Sequence, residues 1–105
     1  MEKWDNRKTD KLLKAILSLK NLKEGKKFLR DLMTEREIIE FGNRWKAARM
    51  LENGTPYTII EKETGLSSTT VARVSKWLRQ GKGGYRLVLN RLNHHNSSPP
   101  GKELC

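Results

Sequence analysis

The chain has 105 residues, 35% apolar and 32% charged, enough for one small domain with a limited core, so an oligomer is expected. Twenty-two basic against 12 acidic side chains leave a net charge of +10, which points to a polyanionic partner, nucleic acid before an acidic membrane. The single cysteine, Cys105, excludes a disulfide framework, and no run reaches transmembrane length or forms a signal-peptide core; a cytoplasmic protein is expected.

Residues 1–7 read as irregular. Lys8 to Leu22 carries Leu12, Ile16, Leu19 and Leu22 at helical spacing, with Leu13 and Leu17 beside them and lysines on the other face. Gly25 is expected to break this helix. The apolar stripe is broad for so small a monomer and suits a dimer interface. A short second helix, Lys26 to Leu32, would bury Phe28, Leu29 and Leu32. Thr34-Glu35-Arg36-Glu37 fits a capping box at the start of a third helix. There Ile38, Phe41, Trp45 and Ala48 continue an apolar face, flanked by Ile39 and Leu51. Gly42, inside this helix, costs roughly 1 kcal/mol relative to alanine, which a close helix–helix contact, the commoner cause, or space needed by a ligand would explain. Asn53-Gly54 supplies a left-handed stop.

The stretch Thr55–Leu78 reads as two short helices joined by a tight turn. Thr55 is the expected N-cap, with Pro56 in the first turn. Gly65 permits the positive φ of the turn, and Ser67 caps a second helix from Ser68 to about Gln80. Ile60, Leu66, Val71 and Val74 supply the apolar contacts between the pair. Ser68, Thr69, Ala72, Arg73 and Lys76 would then face outward. This is the layout of a helix-turn-helix, at about residues 56–78, whose second helix reads the major groove. From Leu66 to Lys102 there is no Asp or Glu, as suits a surface approaching phosphates. The candidate DNA-binding residues are Tyr57, Thr58, Ser67, Ser68, Thr69, Thr70, Arg73 and Lys76. The hydroxyls can bond phosphates or base edges, and Arg73 can bind guanine bidentately. Tyr57 and Thr58 open a helix, where free N–H groups favour phosphate. Glu61 is a departure, at a position where a small residue is commonest.

Gly81, Gly83 and Gly84 read as a flexible connection. Tyr85, Val88, Leu89 and Leu92 mark a last short amphipathic helix. Residues 1–92 thus form one all-α domain, and residues 93–105 a disordered tail. Trp45 reads as core; Trp77 is open. His94 and His95 lack spaced partners, so no metal site is expected. With no phosphate loop and no acidic catalytic cluster, no enzymatic activity is expected either.

From about Met33 to Leu78 the chain resembles the Trp repressor family, most of all its small YerC/YecD-type bacterial members. Met33-Thr34, Phe41-Gly42-Asn43-Arg44, Asn53-Gly54 and TGLSSTTVARVSKWL carry the resemblance. It implies a TrpR-like helical bundle, an intertwined homodimer with one helix-turn-helix per chain, repressing transcription from a palindromic operator in double-stranded DNA. In the family, tryptophan binds beside the recognition helix. Arg44 and Arg73 match the two arginines that sandwich it, and Thr34 matches a residue near its amino end. Val74 stands where the repressor has glycine, and Trp77 replaces a serine. Both fill space. The candidate effector pocket, Thr34, Arg44, Arg73, Val74 and Trp77, is therefore expected to be partly self-filled, with tryptophan not the co-repressor and no cofactor. Two other classes remain open: the DNA-binding module of a transposase or recombinase, and a non-specific nucleoid or RNA-binding protein.

Overall fold

The computed structural model describes residues 2–96, which contain six helices and no strand. Contacts divide the chain into two compact units, Met1–Ile39 and Glu40 onward.

In the first unit, α1 spans Arg7–Leu17 and α2 spans Leu22–Leu32. A reciprocal cap starts α1. Asn6 Oδ1 accepts the Thr9 N–H at 3.1 Å, and Thr9 Oγ1 accepts the Asn6 N–H at 3.0 Å. The expected continuous helix from Lys8 to Leu22 does not form. Ser18 closes α1, and Asn21 opens α2 by accepting the Glu24 N–H at 2.9 Å. The Glu24 carboxylate accepts the Lys20 N–H at 2.9 Å. These local side-chain bonds outweigh the leucine periodicity that runs through the break. Gly25 lies inside α2 and breaks nothing. Neither helix has a fully buried residue; Phe28 and Leu29 are half-buried and Leu32 is exposed.

Helix α3, Glu35–Glu52, opens with the predicted capping box. Thr34 Oγ1 accepts the Glu37 N–H at 3.1 Å, and the Glu37 carboxylate accepts the Thr34 N–H at 2.9 Å. Its buried residues differ in part from those expected. Ala47 and Ala48 are fully buried, Ile38 and Trp45 half-buried, and Phe41 and Ile39 exposed. Gly42 makes no close contact, since a Cβ there would meet nothing within 4 Å. The packed face of α3 is the one that carries Ala47 and Ala48, and Gly42 is exposed.

α3 stops at Asn53-Gly54. Gly54 has φ +78°, the Thr55 N–H donates to Met50 O at 3.0 Å, and the Gly54 N–H donates to Leu51 O at 3.0 Å. This is a Schellman closure. It engages Thr55 with α3, so Pro56, not Thr55, occupies the N-cap of α4, Tyr57–Thr64, with no side-chain cap. α5 spans Ser68–Gln80 and α6 Gly84–Asn96. Ile60, Leu66, Val71 and Val74 form the core with Ala47 and Ala48. Full burial of Ile60 and Val71 contributes about 1.5–3 kcal/mol each.

Two expectations change at the C-terminal side. Gly81 does not serve looseness: a Cβ there would collide with the Trp77 carbonyl, to which the Gly81 N–H donates at 2.9 Å. α6 extends to Asn96, so residues 93–96 are helical; residues 97–105, including Cys105, lie outside the described residues.

Candidate nucleic-acid interface

The turn between α4 and α5 is built from three local decisions. Gly65 takes φ +75°, and its N–H donates to Glu61 O at 2.8 Å. The buried Thr64 hydroxyl donates to Ile60 O at 2.7 Å and accepts the Leu66 N–H at 3.2 Å. Ser67 then caps α5 by accepting the Thr70 N–H at 3.1 Å. Leu66 drops into the core between these polar fixtures.

Helix α5 is sharply two-faced. Val71, Val74, Ser75 and Leu78 are buried, whereas Ser68, Thr69, Ala72, Arg73 and Lys76 are exposed. The candidate reading residues Ser68, Thr69, Arg73 and Lys76 therefore share one solvent face. Ser67 and Thr70 sit at its edge with their hydroxyls 3.0 Å apart, bonded to each other. Tyr57 and Thr58 are exposed in the first turn of α4, where backbone N–H groups lack helical acceptors. Glu61 is half-buried.

Thr34 is engaged in the α3 cap. The Arg44 side chain donates to Glu40 at 3.1 Å and lies 5.4 Å from the centre of the Phe41 ring. Val74 is 2% exposed within the core, and Arg73 is exposed. Trp77, 51% exposed, lines an open apolar groove of about 520 Å³ with Trp45, Gly81, Tyr85 and Val88. Burial pushes the Tyr85 hydroxyl above its ordinary pKa, opposed by the nearby Arg44 charge.

Four polar residues here were not singled out from the sequence. Arg79 donates to the buried Ser75 hydroxyl at 2.7 Å. Arg86 reaches from α6 to Glu52 at the end of α3, at 2.6 Å. The acid-free run from Leu66 to Lys102 contains both arginines and is the signal that could have marked them.

The Trp repressor protein family model matches residues 7–93. The chain belongs to this family. Among relatives, it is 37% identical over 102 residues to the uncharacterized protein YerC of Bacillus subtilis (strain 168), covering 97% of this chain and 98% of YerC. Among solved structures, a TrpR like protein from Eubacterium eligens superposes with a TM-score of 0.83 at 37% identity, covering 87% of this chain and 94% of that one. The Trp repressor family match spans both compact units, and the fold is the expected all-α TrpR-like one. The Trp repressor family is one of DNA-binding regulators, and double-stranded DNA is the partner it implies.

Proposed function

We propose that this chain is a homodimeric, sequence-specific transcriptional repressor of the cytoplasm that binds a palindromic operator and occludes a promoter. The observation that carries this reading is the solvent face of α5. Ser68, Thr69, Arg73 and Lys76 stand exposed on a helix anchored from behind by Val71, Val74 and Leu78. Such a face can enter a major groove with its basic side chains free to meet base edges and phosphates.

Dimerisation is supported by apolar side chains that one chain leaves uncovered. Leu13, Leu17 and Leu22 are 48%, 82% and 75% exposed, and Phe41, Leu87 and Leu92 are also exposed. In a partner's core these would add the buried area that one small chain lacks. Two copies related by a two-fold axis would present two α5 helices to two half-sites.

Tryptophan is not the co-repressor in this reading. Val74 is taken up by the core, Arg44 by Glu40, and Trp77 projects a large ring from α5 itself into the adjoining apolar groove. Calorimetry should detect no tryptophan binding that strengthens DNA binding.

The deciding experiment is selection from random DNA, with light scattering of the unbound protein. A recovered palindrome and a dimer mass are expected. A monomer, or bound DNA with no common sequence, would overturn the proposal.

A further inference from the structure

A second cavity, of about 290 Å³, lies between the end of α3, the start of α4 and the adjoining parts of α5 and α6. Glu52, Thr55, Tyr57, Ser75, Arg79 and Arg86 supply its polar lining. Its electrostatics are asymmetric. Glu52 is held by Arg86 at 2.6 Å, so the one carboxylate in the lining is already engaged. Arg79 makes no ion pair among the described residues. Its Nη2 donates to Ser75 Oγ at 2.7 Å, and Ser75 is 3% exposed. The guanidinium is thus fixed by a buried hydroxyl, with its other N–H donors uncommitted to any carboxylate. Tyr57, at the start of α4, also lines the cavity.

We infer that this cavity is a phosphate-binding site in which Arg79, oriented by Ser75, grips one backbone phosphate of bound DNA. The inference rests on the DNA-binding reading for the source of the phosphate. Arginine presents paired N–H donors that match phosphate oxygens, and a pre-oriented guanidinium loses less freedom on binding. The Arg86–Glu52 pair is neutral within itself and leaves Arg79 as the uncompensated positive charge of the lining. Arg79 is then a positioning contact that carries no base preference.

The test compares Arg79→Gln with the wild type in fluorescence anisotropy, on selected and on unrelated duplexes, across a salt series. The variant should bind both duplexes roughly tenfold more weakly. The slope of log affinity against log salt should fall by about 1. Glu52→Gln removes the negative charge from the lining and should shift affinity the other way. Ser75→Ala, checked for fold by circular dichroism, should show an intermediate loss at an unchanged sequence preference. An Arg79→Gln variant with wild-type affinity and slope would overturn the inference while leaving the regulator reading intact. A wild type that binds no duplex would overturn that reading instead. The site is then judged with inorganic phosphate in NMR: shifts at Tyr57, Ser75 and Arg79 that Arg79→Gln abolishes would uphold a free-phosphate site, and their absence would remove it.

Discussion

The Trp45 and Tyr85 rings lie with centroids 6.2 Å apart and planes 19° from parallel, which ties α6 to α3 through an aromatic contact. The Tyr85 hydroxyl is kept protonated by its partial burial, against the opposing pull of the Arg44 charge. A raised acid pKa in the folded state means that the native chain holds this proton more tightly than the unfolded chain does. The corresponding stability is fully present below the unfolded value of about 10, and is lost as pH rises through the higher folded value. Urea unfolding should therefore show a decline above about pH 10 that Tyr85→Phe partly removes, since phenylalanine keeps the ring contact and cannot ionise. Equal pH dependence in the two proteins would count against this coupling.

Gly81 and Gly84 stand three residues apart and should respond oppositely to alanine. At Gly81 a Cβ meets the Trp77 carbonyl, so the end of α5 must shift. A loss of about 1–3 kcal/mol is expected. At Gly84, the first residue of α6, nothing lies within 4 Å, and alanine should stabilise by about 0.4–1 kcal/mol through the unfolded chain. Paired denaturant titrations measure both. Two losses of similar size would refute the distinction.

Thr34 is expected to matter for folding before it matters for any ligand. Its hydroxyl closes the α3 capping box with Glu37. Thr34→Ala should lower stability by about 0.5–2 kcal/mol, while Thr34→Ser should retain most of it. Hydrogen exchange at Glu37 would report the same loss locally. Unaltered exchange in the alanine variant would show that the cap is dispensable.

Arg73→Ala should weaken binding to a selected operator by about 1–3 kcal/mol and relax the base preference at one position. Lys76, on the same exposed face, is expected to act mainly through charge, so Lys76→Ala should affect related and unrelated duplexes alike. Competition binding separates the two. If Arg73→Ala weakens all duplexes equally, the arginine is a phosphate contact and the base reading must come from Ser68 and Thr69.

Much of the recognition element was legible in the chain because its determinants are local. Gly65, Ser67 and the spacing of Ile60, Leu66, Val71 and Val74 each act within a few residues, and the observed bounds of α5 match those expected. The N-terminal region was less so. Leucines at helical spacing run through Ser18–Asn21, and periodicity does not register that Asn21 and Glu24 bond to the backbone there. The buried face of α3 was misjudged for a different reason. Large apolar residues were expected inside, yet Ala47 and Ala48 are the buried pair, clustered with Ile60, Leu66, Val71 and Val74, a tertiary placement that periodicity does not encode. The surroundings of Arg79 and Arg86 depend on tertiary placement, and no spacing rule brings Glu52 to a residue 34 positions away.

The Thr64 hydroxyl has one further consequence. By bonding backward to Ile60 and forward to Leu66, it riveted the last turn of α4 to the first residue beyond Gly65. The angle between the two helices is thus braced by a side chain and is not left to the glycine alone. A regulatory ligand for this protein is expected to leave that angle unchanged.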